Sequence, residues 1–342
     1  MPTYQRRDVV CDAVRALCGL DYAGAVDVIV VVDGSSDGTA EALRTLQCPF
    51  PLRILEQENC GAGHARNRGA ASATGDVLFF LDDDMIAEPD LIEQHAKMYR
   101  EGADAVVGHI PVDRSSPPGF LRDAVADWIE SSRVAPELTP FDIFTGQLSV
   151  RRTVFEALGG FDDSYTRRPL FAHEDTEFGA RLLATYNARY NPNAISSQKY
   201  VLRPRELMRR SAQAAQADKR FLASHPEYAA QLFEHRGASR KRTRFLYRPL
   251  GRIPLLPQAA AELGVRMAQM ALRTPFRSNR FVATLFSASR GLLYWSKADF
   301  GAAPGQANRL LVSSVGAMPG SSLALRHQLP TGHGGAGPAR EP

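Results

Sequence analysis

The chain has 342 residues, of which 44% are hydrophobic and 23% are charged, a composition typical of a soluble globular protein. Its formal net charge of +4 is small for this length and argues only weakly for an anionic partner such as a nucleotide, an acidic membrane surface or nucleic acid. The longest apolar runs, 28–32 and 77–81, have the length of strands, whereas a membrane-spanning helix needs roughly 18 residues. The four cysteines form no C-x-x-C pair, so we expect reduced thiols in a cytoplasmic protein.

Strand and helix patterns alternate through the first hundred residues. Apolar, often β-branched runs predict strands, and the segments between them contain helix formers with apolar residues on one face. Such alternation indicates a mostly parallel sheet covered on both faces, and ligands of such sheets bind beyond the carboxyl ends of the strands. The predicted elements are a strand at 27–33, a helix at 39–46, a strand at 52–55, a helix at 61–74, a strand at 77–81, a helix at 89–100 and a strand at 103–110.

The rest of the chain changes in character. A helix is predicted at 120–133, a strand at 144–152, and at 174–186 a helix with acidic residues in its first turn. Beyond about residue 202 the chain becomes basic and rich in Ala and Arg, which predicts a helical appendage. The last dozen residues are rich in Gly and Pro and are predicted to be disordered.

Three consecutive aspartates, Asp82, Asp83 and Asp84, follow the strand at 77–81. Adjacent carboxylates repel one another, so at least one of them should have a raised pKa when no cation is bound. Carboxylates at positions i and i+2 can hold Mg²⁺ or Mn²⁺ together with diphosphate oxygens. A solvated acidic turn that caps the next helix is the alternative for this segment.

Two further acidic sites stand at the ends of predicted elements. Asp33 closes the strand at 27–33, where it either begins a plain turn or accepts hydrogen bonds from a base or ribose. Glu174 and Asp175 begin the helix at 174–186, where they either cap the helix or supply a general base. The residues by themselves leave both alternatives open.

The order and spacing of these sites resemble one known family. The segments VIVVVDGSSDGTAEAL, EQENCGAGHARNRGAASATGDVLFFLDDDMIAEPDLIE, GQLSVRRTVFEALGGFDDSY and HEDTEFGARL are similar to the motifs of the inverting glycosyltransferases of family 2. The resemblance covers about residues 1–200. It implies an α/β fold of the GT-A type, with a Rossmann-like, mostly parallel central sheet flanked by helices and a C-terminal helical appendage.

The resemblance also implies how the chain is divided. Residues 1–110 would form the nucleotide-sugar-binding half of the GT-A domain, and residues 111–200 the acceptor-binding half. Residues 201–300 would form the helical appendage, and residues 301–342 a largely disordered tail. The first strand of the family, a central one, precedes the segment that matches residues 2–4. Because its absence would leave unpaired backbone groups on both neighbouring strands, we expect the natural start to lie about ten residues upstream.

The functional residues of the family carry over onto matching positions. Asp175 would be the catalytic base, with Glu174 beside it helping to position the acceptor. A divalent metal, Mg²⁺ or Mn²⁺, would be bound by Asp84, the more direct ligand, and by Asp82. The expected contacts to the nucleotide are Asp33 against the base, Asp82 and Asp83 near the diphosphate, and Arg66 and Asn67 along the pocket, unless these last two lie on a helix surface.

The resemblance implies an enzyme that moves one sugar from a nucleotide-diphosphate sugar to an acceptor hydroxyl, in cell-surface polysaccharide or glycolipid synthesis. The acceptor would be a glycan or a lipid-linked molecule, and no nucleic-acid partner is expected. The Q-x-x-R-W signature of processive synthases is missing, which favours transfer of a single sugar. Basic and aromatic segments at 244–257 and 281–295 would either place a cytoplasmic protein on the inner face of the plasma membrane or pack on the catalytic domain.

Three positions depart from the family pattern. Val32 stands where an aspartate is frequent, Gln147 where an asparagine is usual, and Gln198 where a histidine often lies. Glutamine is a poor metal ligand beside imidazole, so metal dependence would be weaker. The alternative function is a catalytically impaired relative that binds a glycan or a partner. A dinucleotide oxidoreductase is disfavoured because no G-x-G-x-x-G follows a predicted strand.

Overall fold

A computed structural model of the chain describes residues 1–131, 137–166, 173–200, 203–238, 240–274 and 280–298. The chain divides into two units, Met1–Phe300 and Gly301–Pro342. The second unit, which contains the predicted disordered tail, lies outside the described residues. The predicted boundaries at 110 and 200 fall within the first unit and stay a prediction.

The strands form two sheets. Three parallel strands make the first, in the order β1-β2-β3. Five strands make the second, in the order β4-β7-β6-β8-β5, with β6 and β8 parallel and with β7 and β5 antiparallel to their neighbours. In chain order the strands are β1 (Pro2–Thr3), β2 (Val28–Asp33), β3 (Leu52–Gln57), β4 (Val77–Leu81), β5 (Met85–Ala87), β6 (Ala105–His109), β7 (Gln147–Arg151) and β8 (Ala188–Gln198).

Helices cover the sheets and form the appendage. The first seven accompany the strands, and α8 to α12 make up the predicted helical appendage. They are α1 (Arg7–Leu17), α2 (Thr39–Arg44), α3 (Ala62–Ser72), α4 (Leu91–Arg100), α5 (Phe120–Ser131), α6 (Arg152–Ala157), α7 (Glu174–Leu183), α8 (Pro204–Ser224), α9 (Ala229–His235), α10 (Arg248–Gly251), α11 (Leu256–Leu272) and α12 (Arg280–Lys297).

Strand β2 is buried along its whole length, which explains its uninterrupted apolar sequence. Val28, Val30 and Val32 pack with residues of α1 and α2, whereas Ile29 and Val31 pack against α3. Because helices cover both faces, the strand is fixed in register. Its carboxyl end therefore holds Asp33 at the edge of the sheet where ligands bind.

No ladder joins β2 to β4, both of which are fully described. A cavity of about 510 Å³ is lined by residues of both strands, among them Ile29 and Leu78, and by Met1. The amino group of Met1 donates to the Ile29 carbonyl oxygen over 3.0 Å, and burial lowers its pKa to about 5. The expectation of a natural start further upstream stays a prediction.

The appendage packs on the α/β part of the molecule. Phe120 of α5 shares one apolar core with Met208 of α8, Val265 of α11 and Phe286 of α12. A second core joins α7 to α8 and α9. Among the described residues, no helix is both long enough and apolar enough to cross a membrane.

Candidate active site

The three consecutive aspartates occupy the turn between β4 and β5, at the carboxyl end of β4. The side chain of Asp82 is 31% exposed, whereas Asp83 and Asp84 are buried. Burial and the neighbouring carboxylates raise the pKa of Asp83 to about 7 and also raise the pKa of Asp84, against the opposing effect of Arg6. The predicted rise in pKa within this turn is confirmed, with burial as a larger cause than mutual repulsion.

Two arginines form ion pairs with this acidic turn. Arg6, in the loop between β1 and α1, places its two terminal nitrogens 2.5 Å from Asp83 Oδ1 and 3.0 Å from Asp84 Oδ2. Arg66 of α3 donates to Asp82 Oδ1 over 2.6 Å. Arg6 was not among the predicted site residues, although it lies only two residues after the segment 2–4 that resembles the family.

Arg66 also contacts the start of α7. Its Nη1 atom donates to Glu174 Oε1 over 2.7 Å, and the residue is only 6% exposed. Burial opposes its charge, but the carboxylates of Asp82 and Glu174 outweigh burial and raise the pKa of Arg66. The guanidinium therefore lies inside the protein and not on a helix surface, and it links the acidic turn to the start of α7.

Asp175 stands in the first turn of α7 and is partly buried. Its Oδ1 atom accepts a hydrogen bond from the Thr176 backbone N–H over 2.7 Å. Burial and the adjacent Glu174 raise the pKa of Asp175 to about 6, while His173 and Arg66 act in the opposite direction. A carboxylate with a pKa slightly below neutrality suits a general base at physiological pH.

One cavity of about 270 Å³ brings the two predicted sides of the site together, because Asp82 and Asp175 both line it. The carboxyl end of β6 forms another wall. Several aromatic side chains complete the lining: Phe141, Phe144, Tyr190, Tyr200 and His235.

Gln198 lines the same cavity. Its Nε2 atom donates to Asp84 Oδ1 over 3.2 Å. Position 198 therefore contacts the acidic turn, although glutamine replaces the expected histidine. Gln147 lies beneath the site, where its side chain joins β7 to β8 by hydrogen bonds with the Ala194 carbonyl and the Ser196 hydroxyl.

Asp33 and Asn67 are engaged in contacts within the protein. The Asp33 carboxylate accepts hydrogen bonds from Gln57 Nε2 and from the backbone N–H groups of Cys60 and Gly61, over 2.7 to 2.9 Å. The Asn67 amide both donates to and accepts from the backbone of Phe161, over 2.8 and 2.9 Å. Asp33 thus joins β2, β3 and the start of α3. Asn67 holds the loop after α6 in place, and these contacts give no support to its predicted position along the nucleotide pocket.

The donor set of the acidic turn is compatible with a divalent cation. Asp82 and Asp84 offer the hard oxygen atoms that Mg²⁺ and Mn²⁺ prefer. Within the described part of the chain, no group of three or more His, Cys, Asp or Glu side chains is arranged to hold a metal ion. Two carboxylates suffice when the remaining ligands are substrate phosphates and water, as is usual for Mg²⁺. Such an ion would compete with Arg6 and Gln198 for the oxygens of Asp84.

Replacing Arg66 by methionine should destabilise the protein. The variant leaves Asp82 and Glu174 buried or half-buried without their shared cation, and such a loss costs about 3 kcal/mol. We expect the free energy of unfolding in urea at pH 7.5 to fall by about that amount. The control is Arg68→Met on the exposed side of the same helix, with an expected change below about 0.5 kcal/mol. Equal changes in the two variants would contradict this role of Arg66.

The chain is similar to known proteins over most of its length. Residues 1–159 match the family model described as Glycosyl transferase family 2. Validoxylamine A glucosyltransferase of Streptomyces hygroscopicus subsp. limoneus is 27% identical over 270 residues, which is 68% of this chain and 57% of that protein. An uncharacterized glycosyltransferase of Bacillus subtilis (strain 168) is 33% identical over 108 residues, which is 31% of this chain and 28% of that protein. The matches thus span little more than half of these relatives, or less.

A solved structure shows the same fold. The mannosyltransferase PcManGT from Pyrobaculum calidifontis, in complex with GDP-Man and Mn²⁺, superposes with a TM-score of 0.54 at 22% identity, over 86% of each chain. The likeness supports a GT-A-like arrangement of strands and helices. The match over residues 1–159 includes the acidic turn after β4, and by it this part of the chain belongs to glycosyl transferase family 2.

Proposed function

We propose that the protein is an inverting glycosyltransferase that moves one sugar from a nucleotide-diphosphate sugar to an acceptor hydroxyl. One observation carries the proposal: Asp82, on the diphosphate side, and Asp175, on the acceptor side, line a single cavity of about 270 Å³. Inversion needs the leaving diphosphate and the attacking oxygen on opposite sides of one anomeric carbon. A cavity with a cation-binding turn on one wall and a base on another is suited to that geometry.

In this mechanism Asp175 acts as the general base. Its carboxylate accepts the proton of the acceptor hydroxyl while the hydroxyl oxygen attacks the anomeric carbon. A pKa of about 6 leaves Asp175 ionised at neutral pH, yet basic enough to take the proton. Glu174, held by Arg66, helps to position the acceptor.

The donor site includes the acidic turn. Asp84 and Asp82 would hold the divalent cation, Mg²⁺ or Mn²⁺, which when bound would supply positive charge for the departing diphosphate. PcManGT was solved with GDP-Man and Mn²⁺, which supports a nucleotide-sugar donor and a metal of this class for the present chain. Asp83 supports the turn through its hydrogen bonds with Thr3 and Arg6. Asp33 would meet the base from the end of β2.

The acceptor would lie against the aromatic part of the cavity. Phe141, Phe144 and Tyr190 line the cavity there, and flat aromatic rings suit the apolar faces of sugar rings. A glycan or a lipid-linked sugar fits such a lining. Cell-surface polysaccharide or glycolipid synthesis is the corresponding process.

A segment of the appendage supports peripheral contact with the inner face of the plasma membrane. Residues 240–255 contain six Lys or Arg side chains and no Asp or Glu. Two large apolar side chains of this segment are strongly exposed, Phe245 at 70% and Leu255 at 77%. Basic residues attract anionic lipid headgroups, and exposed apolar side chains enter the interface between headgroups and acyl chains. Such contact would bring the cavity near a lipid-linked acceptor.

The first test is release of nucleotide diphosphate from a panel of nucleotide sugars with Mg²⁺ or Mn²⁺. We expect release from one donor, its loss with a chelator, and at least a hundredfold lower rate in Asp84→Ala, because the charge on the leaving group is then uncompensated. The control is Asp104→Asn, which alters an ion pair with Arg151 outside the cavity. If no donor is turned over and no nucleotide diphosphate binds, the protein is a non-catalytic relative that binds a glycan or a partner.

The variant Asp175→Asn tests the base. Loss of a general base costs about 10²–10⁴ in rate, so kcat should fall by that factor while the Kd for nucleoside diphosphate stays unchanged. In the wild type, kcat should decrease below pH of about 6, because protonated Asp175 cannot accept a proton. The control Glu156→Gln, on the exposed side of α6, should keep both the rate and the pH profile. A wild-type rate that is flat down to pH 4.5 would exclude Asp175 as the base.

Membrane contact is tested by cosedimentation with vesicles. Binding to vesicles containing 30% anionic phosphatidylglycerol should exceed binding to pure phosphatidylcholine by about tenfold and should weaken in high salt. The double variant Phe245→Ser with Leu255→Ser should lose most of this binding. Met270→Ser removes a similarly exposed side chain from α11 and should bind like the wild type. Equal binding to both vesicle types would contradict the proposed contact.

A further inference from the structure

A second cluster of charged side chains lies outside the cavity, between the appendage and the start of α7. At its centre is Asp218 of α8, which is 0% exposed. Arg236 donates to both of its carboxylate oxygens, from Nε over 2.8 Å and from Nη2 over 3.0 Å. The Tyr294 hydroxyl and His173 Nε2 also form hydrogen bonds with this carboxylate. We call these four residues the Asp218 cluster.

The cluster joins three helices of the appendage to the catalytic half. Asp218 comes from α8, Arg236 follows α9, and Tyr294 lies on α12, whereas His173 directly precedes α7. Burial opposes ionisation of Asp218, but the hydrogen bond from His173 and the charge of Arg236 outweigh it and hold the pKa of Asp218 well below its usual range. The carboxylate is therefore ionised and can only accept hydrogen bonds. His173 must accordingly donate from Nε2.

His173 has an unusual backbone conformation. Its φ of +80° lies in the left-handed region, which side chains other than Gly rarely adopt. Its carbonyl oxygen accepts a hydrogen bond from the Glu177 backbone N–H over 2.9 Å, so the first turn of α7 is built on this residue. Such a conformation persists only where surrounding contacts fix it, and the hydrogen bond to Asp218 is one of those contacts.

His173 directly precedes the two carboxylates to which the proposed reaction is assigned. Glu174 follows it directly and is bound to Arg66, and Asp175 comes next and lines the cavity. We propose that Asp218 is a positioning residue for the transfer reaction, which acts through His173 to orient the first turn of α7 and its two carboxylates. The inference rests on the function proposed above for Asp175.

The same contact links the charge of Asp218 to the basicity of Asp175. Asp175 faces Glu174 and Arg66 besides His173, and of these His173 and Arg66 lower its pKa. His173 faces Asp218 and Arg236.

His235 lies near the same groups. Its pKa is lowered by burial and by Arg236 and His173, and it is raised by Asp218 and Asp142. Asp218 is the carboxylate in hydrogen-bond contact with His173. Loss of this contact would release the imidazole from its place near Asp175, and because His173 lowers the pKa of Asp175, that pKa should then rise.

The test is Asp218→Asn, which keeps the size of the side chain and removes its charge. We expect kcat for nucleotide-diphosphate release to fall by about 10²-fold, since a small misplacement of a reacting group has that effect. The Kd for nucleoside diphosphate should stay unchanged, and the acidic limb of the pH profile of kcat should move to higher pH. The matched control is Glu206→Gln on the same helix, whose ion pair with Arg210 lies at the surface.

A purely structural role for Asp218 has a different outcome. Thermal stability would fall, but kcat for each folded molecule and the acidic limb would stay as in the wild type, and this result would overturn the inference. If Asp218→Asn does not fold, His173→Gln serves instead, because it removes the imidazole but keeps a donor towards Asp218. It should produce the same shift of the acidic limb, and an unshifted limb would refute the proposal.

Carbon-13 NMR of carboxyl-labelled aspartate separates this inference from the proposed function. It reports the pKa of Asp175 without turnover, so it applies even if no donor is found. A higher pKa of Asp175 in Asp218→Asn than in the wild type supports the link between the two residues. An equal pKa in both proteins overturns it. Turnover by the wild type together with an unchanged Asp218→Asn variant would refute the inference alone and leave the proposed function intact.

Discussion

The buried guanidinium of Arg66 is the interaction on which the site depends. It holds Asp82 at 2.6 Å and Glu174 at 2.7 Å, and these acids lie in the turn after β4 and at the start of α7. Without a cation between them, the carboxylates would repel one another and push the turn and the helix apart. Arg66 can occupy this place because Asp33, at the end of β2, binds the backbone of Gly61 directly before α3. The end of β2 thus positions the start of α3, and α3 in turn positions the ion pairs of Arg66.

Two arginines supply the positive charge next to the acidic turn. Arg6 and Arg66 together contact all three aspartates of the turn. Arg6 lowers the pKa of Asp83, but burial outweighs this effect and leaves that pKa raised.

The appendage covers apolar surface and also supplies a buried cluster of charged side chains. Its helices bury Asp218 together with Arg236 and Tyr294, and Asp218 also forms a hydrogen bond with His173, directly before α7. Buried charged groups cost stability unless all of their hydrogen bonds are made, so such a cluster fixes one arrangement of α8, α9, α12 and α7. The first turn of α7, which contains Glu174 and Asp175, and the packing of the appendage therefore depend on the same contacts.

The sequence by itself determined the elements and residue types that local pattern encodes. The apolar runs at 28–32 and 77–81 are strands, and aspartates follow both runs at the strand ends. Burial along the whole length of β2 explains its uninterrupted apolar run. Helix α1 was not predicted, although its apolar residues lie on one face of an amphipathic helix. Strand β8 was not predicted because its sequence, ARYNPNAISSQ, contains proline and lacks regular alternation.

Only the tertiary structure decided which distant side chains meet. The Gln198–Asp84 contact spans 114 positions, and the Asp218–His173 contact spans 45. Local propensity carries no information about such pairs, since they arise where separately folded elements pack and one buried charge must find another.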